Sequence, residues 1–353
     1  MNHITTVLKA IKSYYAEKND HIVIGDGVIA WFGTSISKPT IQYTRESIIN
    51  KTGFNYIKPL NDIVKFNIDS LEVKEHEVIL ISKSSSKEYK LFDINQKYCS
   101  YSLNEKKLIT SNSLKINMDC INQVCFSAAK NDSRVFLNGV YVSINQQNQI
   151  IAYWATDAYR AAIYGKFDQM TDQDKKIFLP YALVKFAKTL KVTEFTYYWS
   201  NDPESSCAEF DFGSEGNLIY QTSEIPKSDL DIRRVIPELS ENRISINLQA
   251  VYQAAKMTDK LSGITIDCDS KSIKVNDLGF IAANSVESNS TLSLNINSKH
   301  LLAYAKEFNI KDSLTIYAGN HPHNSIVIMP NNYCKHCNKD KDALMYVVMP
   351  FRV

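Results

Sequence analysis

A strand-to-helix unit recurs three times in this 353-residue chain, at 116–130, 246–256 and 296–306. Each copy starts as an alternating run that ends in Ile-Asn and continues as an apolar stripe spaced at three and four residues. The alternation predicts a strand, and the stripe predicts an amphipathic helix. The Asn side chains stand where an oxygen can cap the start of each helix. Recurrence of this kind indicates a chain built from similar structural units.

Length, net charge and cysteine content narrow the class of protein. The length suits two or three domains rather than one core. The net charge of +2 is nearly neutral, so binding of nucleic acid requires basic residues gathered on one surface. No apolar run reaches the length of a membrane span, and the first residues lack the features of a signal peptide. Seven scattered cysteines with a single CxxC favour a reducing cytoplasm.

We divide the chain into domains at 1–112, 113–241 and 242–353. The predicted helices cover 3–15, 55–65, 118–130, 179–191, 248–260 and 298–308. The predicted strands include 77–81, 89–92, 98–103, 134–143 and, after a polar turn, the run 150–162. This order predicts an α+β fold with two helices in each domain rather than a parallel βαβ sheet.

The predicted helices carry far more lysine than acid. Their lysines are Lys9, Lys12, Lys58, Lys65, Lys130, Lys185, Lys188, Lys191, Lys256, Lys260, Lys299 and Lys306. Their acids are Asp62, Asp119, Asp259 and Glu307. Any single solvated helix face often carries lysine, but the same bias in six helices predicts one segregated basic surface.

Four motifs resemble the bacterial-type DNA sliding clamp, which is the beta subunit of the replicative DNA polymerase. They are Phe-Leu-Asn-Gly-Val at 136–140, Ala-Thr-Asp-Ala-Tyr-Arg-Ala-Ala at 155–162, Asp-Ile-Arg-Arg-Val-Ile-Pro at 231–237 and Tyr-Val-Val-Met-Pro-Phe-Arg-Val at 346–353. The resemblance covers domains two and three well, and domain one by length and element order. The weak match in domain one and departures within the motifs indicate a divergent member, for which a phage or plasmid replication system is one origin and a chromosome the other.

The resemblance implies three similar domains with helices packed on antiparallel sheets, and two chains closed head to tail into a ring. The helices would line a hole around duplex DNA, whose phosphates are contacted without regard to sequence. The implied partners are duplex DNA, the replicative DNA polymerase, a clamp loader and a second copy of the chain. No cofactor is implied. The DNA-facing residues would be Lys9, Lys12, Lys58, Lys65, Lys130, Arg134, Lys185, Lys188, Lys191, Lys299 and Lys306.

The resemblance also implies a pocket between domains two and three for short peptides of polymerases, loaders and repair proteins. Carried over, it comprises Leu137, Thr156, Ala158, Tyr159, Ala161, Arg234, Val235, His323, Ser325, Val347, Met349, Pro350 and Phe351. Apolar walls would take aliphatic or aromatic anchors, and Arg234 or Thr156 would hold polar atoms of the peptide. Ala158 replaces the family's usual Gly and Tyr159 its usual His, which indicates an altered pocket. From the residues alone, the favoured interpretation is that these positions are simply core and edge positions of two sheets.

The implied ring interface departs from the family pattern. Tyr101 and Leu103 match an apolar pair in domain one, whereas their expected partners in domain three are Lys256 and Met257. A lysine at an apolar position predicts a weaker dimer. The alternative function is therefore a clamp-fold peptide-binding module that does not encircle DNA.

A Cys/His group lies near the C-terminus. Cys334, His336 and Cys337, preceded by His321 and His323, have the side-chain types that zinc prefers. One interpretation is a reduced loop without a ligand, and the other is a metal site, with a metal-dependent enzyme as a third functional alternative.

The sequence contains no pattern typical of an enzyme. A Gly-rich phosphate loop, a GxSxG motif and a zinc-hydrolase His-Glu helix pair are all missing. Asp157 and Asp231 resemble a pair of catalytic acids. Because they stand beside Arg160, Arg233 and Arg234, we interpret them as structural ion-pair partners.

Overall fold

The computed structural model describes residues in all three predicted domains. They are 6–7, 22–25, 28–32, 40–44, 55–57, 70–73, 77–82, 85–90, 92–93, 112–199, 206–213, 217–222, 226, 230–237, 242–257, 263–275, 279–319, 325–329 and 343–349.

Among the described residues, twenty-five strands and four helices have defined bounds. The strands are β1 Ile22–Gly25, β2 Val28–Phe32, β3 Thr40–Thr44, β4 Asn55–Ile57, β5 Ser70–Val73, β6 Glu77–Ser82, β7 Ser85–Lys90, β8 Phe92–Asp93, β9 Asn112–Asn117, β10 Gly139–Ile144, β11 Ile150–Thr156, β12 Arg160–Gly165, β13 Lys175–Pro180, β14 Glu194–Trp199, β15 Ser206–Asp211, β16 Asn217–Thr222, β17 Arg243–Asn247, β18 Ile264–Asp267, β19 Ser272–Val275, β20 Phe280–Ala282, β21 Val286–Ser288, β22 Ser293–Ile296, β23 Ser313–Ala318, β24 Ile326–Ile328 and β25 Ala343–Val348. The helices are α1 Met118–Val124, α2 Tyr181–Leu190, α3 Leu248–Met257 and α4 Ser298–Glu307. Helices with antiparallel sheets confirm the predicted α+β class.

The chain forms two compact units, of which the first comprises 1–119 and 182–226. It holds a nine-stranded sheet in the order β8-β4-β1-β2-β3-β16-β15-β14-β9 and a three-stranded sheet β5-β6-β7. Neighbouring strands run antiparallel, for example β3 with β16, where Ile41 stands opposite Tyr220. Leu218, Phe210 and Tyr220 are buried on the later strands of the large sheet.

The second unit comprises 120–181 and 227–353. Its nine-stranded sheet has the order β13-β10-β11-β12-β25-β24-β23-β17-β21, and a four-stranded sheet has the order β20-β19-β18-β22. Trp154 and Tyr141 stack in the large sheet's core with ring centroids 4.0 Å apart. The Trp154 indole donates to Ser143 Oγ at 3.0 Å, so this fully buried donor is satisfied. The three-domain division with boundaries after 112 and 241 stays a prediction.

The three recurring units fold as the sequence predicts. β9 leads into α1, β17 into α3 and β22 into α4. In each case the Ile of Ile-Asn is fully buried, and the Asn oxygen accepts a hydrogen bond from a backbone N–H in the first turn of the helix. The acceptors are Asn117, Asn247 and Asn297, at 2.7, 3.2 and 3.0 Å from the donor nitrogens. These bonds satisfy donors that a helix start leaves open.

The predicted helix at 118–130 is too long. α1 ends at Val124, and a 3-10 turn follows at Cys125–Ser127. Ala128 is extended, with φ −66° and ψ 144°, and the Ala129 amide donates to the Leu137 carbonyl at 3.0 Å. Because that amide bonds to a different segment, the helix cannot continue to Lys130.

Other boundaries also shift. Asn55–Ile57 is a strand rather than the start of a helix, because it pairs with β1 and β8. The strand predicted from 134 begins only at Gly139, after a 3-10 turn at Val135–Leu137. The run 150–162 divides into β11 and β12. The helix predicted from 179 starts at Tyr181, because Leu179 and Pro180 pair with β10.

No helix among the described residues is long and apolar enough to cross a membrane. The described cysteines, which are Cys120, Cys125, Cys207 and Cys268, form no disulfide.

Candidate functional site

Strand β12 brings the second and fourth motifs together. It lies between β11 and β25, with Thr156 opposite Ala161 on one side and Ala161 opposite Val347 on the other. β24 pairs with the far side of β25 and places Val327 opposite Val347. Residues from two predicted domains therefore share one continuous sheet at this point.

A tight turn joins β11 to β12. The Thr156 hydroxyl donates to the Arg160 carbonyl at 2.7 Å and accepts the Ala158 N–H at 3.1 Å. Asp157 Oδ1 accepts the amides of Tyr159 and Arg160 at 3.1 and 3.0 Å. Thr156, only 6% exposed, therefore builds the turn with its hydroxyl. The sequence had suggested that the same hydroxyl holds the peptide.

Ala158 occupies the left-handed region of backbone space, with φ at +74°. This conformation costs an L-residue roughly 1–2 kcal/mol, whereas glycine adopts it freely. Replacing Ala158 by Gly is therefore expected to stabilise the protein by about 0.5–1 kcal/mol, after allowance for the entropy that glycine loses on folding. The urea midpoint of unfolding measures the change.

The matched control is Ala255→Gly, the same substitution inside α3. It is expected to destabilise the protein by about 1 kcal/mol because glycine is a poor helix former. Equal destabilisation by both substitutions would contradict the strain assigned to Ala158.

Tyr159 and Met349 form the exposed part of the site. Their side chains are 63% and 42% exposed, and the Met349 amide donates to the Tyr159 carbonyl at 2.9 Å. Ser325 Oγ donates a hydrogen bond to Met349 Sδ at 2.8 Å. An exposed ring and an exposed, adaptable thioether thus belong to two residues whose backbones are bonded at the ends of β12 and β25, and exposed apolar groups of this kind suit a binding surface.

The floor of the site is apolar. Ala161 and Val347 are 2% and 1% exposed and belong to one core cluster with Ile232, against which Val235 packs half-buried. Leu137 is also buried, in the 3-10 turn that precedes β10. Of the described pocket residues, Leu137, Thr156, Ala161 and Val347 are buried, Val235 and Ser325 are half-buried, and Ala158, Tyr159, Arg234 and Met349 are exposed.

Arg234 supplies an exposed positive charge near that floor. Asp231 caps the 3-10 turn Ile232–Val235 and binds Arg233 through two contacts of 2.9 Å. Arg234 is 3.8 Å from the same carboxylate and its side chain is 85% exposed. The hydrogen bond from Arg233 lowers the pKa of Asp231. The predicted ion pairing of Asp231 is confirmed.

A second ion pair, between Arg134 and Asp132, stands just before the 3-10 turn Val135–Leu137. Arg134 binds Asp132 with Nε and Nη2, each at 2.9 Å. The hydrogen bond from Arg134 lowers the pKa of Asp132 to about 2. The Arg134 pKa is raised, mainly by that hydrogen bond and to a smaller extent by Tyr159. Part of the Arg134 charge is thus compensated by Asp132, and a DNA-facing role for this residue stays a prediction.

The described lysines of the predicted DNA-facing set are all exposed; they are Lys130, Lys185, Lys188, Lys191, Lys299 and Lys306. Lys185 and Lys188 lie on α2, and Lys299 and Lys306 on α4. Lys130 lies beyond the end of α1, and Lys191 follows α2 with φ at +57°.

The proposed interface residues on α3 are also exposed. Lys256 is exposed and Met257 is 50% exposed, and Tyr252, a neighbour on α3 outside the proposed interface, is 49% exposed. Lys256 Nζ lies 4.6 Å from the centroid of the Tyr252 ring, within cation–π distance. The lysine that departs from the family pattern is therefore held along its own helix.

Several predicted residues lie outside the described ranges. They are Lys9, Lys12, Lys58, Lys65, Tyr101, Leu103, Lys260, His321, His323, Cys334, His336, Cys337, Pro350 and Phe351. Within the described ranges, no group of three or more His, Cys, Asp or Glu side chains could hold a metal ion.

Sequence reasoning missed the partners of Arg160. It predicted the bond to Asp157, which is confirmed at 2.9 Å. It did not predict that the guanidinium also reaches the Phe126 carbonyl at 3.0 Å and the Tyr346 hydroxyl at 3.5 Å. Tyr346 lies in the C-terminal motif, but nothing in its spacing indicates this contact.

Comparison with known proteins agrees with this architecture. Residues 108–194 match the family model described as DNA polymerase III beta subunit, central domain. No curated protein sequence matches the chain.

Solved structures resemble the whole chain at low sequence identity. The DNA polymerase III subunit beta from Pseudomonas aeruginosa is 17% identical with a TM-score of 0.72, over 99% of this chain and 98% of that one. The beta chain from Streptococcus pneumoniae TIGR4 is 16% identical with a TM-score of 0.71, over 100% and 98%. The beta subunit from Thermotoga maritima is 13% identical with a TM-score of 0.72, over 99% and 97%.

The sequence resemblance is thereby confirmed, by the family model for 108–194 and at the level of the fold for nearly the whole chain. The chain has the fold of the bacterial DNA polymerase III beta sliding clamps at low sequence identity, and its residues 108–194 match the model of that family's central domain.

Proposed function

We propose that this protein is a DNA polymerase processivity factor. Two chains close into a ring around duplex DNA, and a peptide site at the β11–β12 turn tethers the polymerase and the clamp loader. The protein acts without catalysis and without a cofactor, in the cytoplasm.

One observation carries the proposal. Tyr159 and Met349 come from distant motifs, are both exposed, and are joined by a backbone hydrogen bond. Each stands two residues from Ala161 or Val347, which belong to the apolar cluster against which Val235 packs. Exposed apolar side chains next to a close-packed cluster are typical of sites that anchor short peptides. Arg234 adds an exposed cation suited to an acidic group of the peptide.

The exposed lysines support the DNA-binding part of the proposal. Lys185 and Lys188 lie on α2, and Lys299 and Lys306 on α4, which are two of the helices expected to line the ring. A ring needs only loose phosphate contacts because its topology retains it on the duplex. A chain of net charge +2 is consistent with basic residues confined to that inner surface.

The second candidate is a clamp-fold peptide-binding module that does not encircle DNA. It is favoured by Lys256, which places a charge at an interface position where the family has an apolar residue. The Lys256 ammonium lies over the Tyr252 ring. Of the implied interface pair Lys256 and Met257, only Met257 is therefore an exposed apolar residue. A weaker association of two chains follows from the smaller apolar surface.

The molar mass in solution separates the two candidates. Light scattering over a range of concentrations is expected to give about twice the 40.1 kDa chain mass at micromolar protein. Lys256→Leu is expected to strengthen the dimer, and Lys311→Leu, outside the proposed interface, leaves it unchanged. A monomer at every concentration, for both the natural chain and Lys256→Leu, would favour the peptide-binding module.

A further inference from the structure

A largely buried cation stands at the start of β12. The Arg160 side chain is 16% exposed, and its Nε lies 2.9 Å from Asp157 Oδ2, whose side chain is 19% exposed. Nη2 donates to the Phe126 carbonyl at 3.0 Å, and the guanidinium carbon lies 5.9 Å from the Phe126 ring centroid. One side chain thus connects the β11–β12 turn to the 3-10 turn after α1.

The same guanidinium reaches the last strand and α4. Nη1 makes a long contact of 3.5 Å with the Tyr346 hydroxyl, which itself donates to the His300 carbonyl at 3.1 Å. The Tyr346 ring packs against Phe126 and Tyr304, with centroids 5.4 and 5.0 Å apart. Aromatic packing therefore fixes the hydroxyl that Arg160 meets.

The turn held by Arg160 is the turn that presents Tyr159. Asp157 uses Oδ1 for the amides of Tyr159 and Arg160, and Oδ2 for the guanidinium. The Tyr159 carbonyl in turn accepts the Met349 amide. A shift of the Asp157 carboxylate would therefore move both exposed residues of the proposed peptide site.

We propose that Arg160 is a positioning residue for this site. It does not contact the bound peptide. It holds the β11–β12 turn against β25 and α4, so that Tyr159 and Met349 are already in their binding positions before the peptide arrives. The inference rests on the proposed peptide site. Preorganisation of this kind raises affinity because the peptide does not have to order the turn on binding.

Substitution of Arg160 has a clear structural consequence. Without the guanidinium, the Asp157 carboxylate and the Phe126 carbonyl lose a charged donor in a largely buried place. Lysine keeps the charge but has no planar fork to reach three acceptors at once. Neither Gln nor Lys at position 160 is therefore expected to hold the β11–β12 turn as Arg160 does.

His300 gives an independent measure of the Arg160 charge. Burial lowers the His300 pKa below its usual 6.5, the Arg160 charge lowers it further, and Asp157 acts in the opposite direction. Removal of the Arg160 charge is thus expected to raise the His300 pKa, which NMR titration measures without any peptide. A residue that only fills space would not shift this pKa.

The test compares Arg160→Gln, Arg160→Lys and Tyr346→Phe for peptide affinity and for hydrogen exchange of the Met349 amide. The probe is a fluorescent peptide carrying the clamp-binding motif of a bacterial polymerase. Arg160→Gln and Arg160→Lys are expected to bind it about tenfold more weakly and to exchange the Met349 amide faster. Tyr346→Phe keeps the ring packing and is expected to stay within about threefold of the natural chain.

Chemical rescue adds a readout that lost stability alone would not give. Millimolar guanidinium is expected to restore part of the peptide affinity of Arg160→Ala, because the ion can occupy the space beside Asp157. The same concentration of urea is expected to restore none. If Arg160 variants fail to fold, Asp157→Asn replaces them and is expected to weaken binding in the same way.

Natural affinity and unchanged Met349 exchange in folded Arg160→Gln would overturn the positioning role. Failure of the natural chain to bind the peptide would instead remove the proposed peptide function. In that case Met349 exchange and the His300 pKa still decide whether Arg160 holds the turn.

Discussion

Replacing Tyr159 by Ser and Met349 by Lys is expected to weaken binding of a clamp-motif peptide by about 30-fold or more. Central anchor residues of an interface often contribute about 2 kcal/mol or more each. Both residues are exposed and neither belongs to the buried cluster of Ala161, Ile232 and Val347, so we expect that cluster to stay intact. Fluorescence anisotropy with the labelled peptide measures the change, and thermal unfolding checks that the fold is kept.

The chain offers a matched control on α3. Tyr252 and Met257 are 49% and 50% exposed, so Tyr252→Ser with Met257→Lys repeats the same chemical changes in the same unit. We expect each chain of the control variant to bind the peptide with the affinity of the natural chain, whether or not the substitutions change dimerisation. If both double variants bind the peptide equally well, the Tyr159–Met349 surface is not the peptide site.

Replacing Lys188, Lys299 and Lys306 by Ala is expected to reduce affinity for duplex DNA by at least about tenfold at low salt. Each phosphate contact contributes about 0.9 to the slope of log affinity against log salt. For the triple variant, the slope of log affinity against log salt should therefore be less steep than that of the natural protein by about 2 to 3 for each chain. Titration of labelled duplexes of different sequence, at several salt concentrations, measures both quantities.

The control for this prediction uses Lys115, Lys175 and Lys311, which are also exposed but lie outside the helices. Their replacement by Ala removes the same total charge. We expect the control to change the salt slope by less than half as much. Equal effects of the two triple variants would mean that net charge, rather than one basic surface, governs DNA binding.

Local pattern was sufficient to predict the recurring units. Burial of the Ile and capping by the Asn both act within a few residues, so alternation and helical spacing reveal them directly. Ile116 and Asn117 illustrate this, since one is buried and the other bonds to the Asp119 amide. The end of α1 was missed because it depends on a bond from Ala129 to Leu137 in the next segment.

The candidate site could not be assembled from periodicity. Arg160 and Tyr346 lie 186 residues apart, and only the pairing of β12 with β25 brings them together. The family resemblance implied which residues form the site and what they bind, but not the hydrogen bonds that they make with one another. The Thr156 hydroxyl is engaged in its own turn, and Ala158 carries a positive φ that no residue spacing reveals.

The most direct test of the proposed ring uses linear duplexes whose ends are either free or blocked by bulky protein caps. We expect the dimer to thread over free ends and, if caps are then added, to remain on the duplex after a high-salt wash. Duplexes capped beforehand should retain none, because the ring has no end to enter and phosphate contacts alone are lost at high salt. Equal retention on both duplexes, or none on either, would contradict encirclement of DNA.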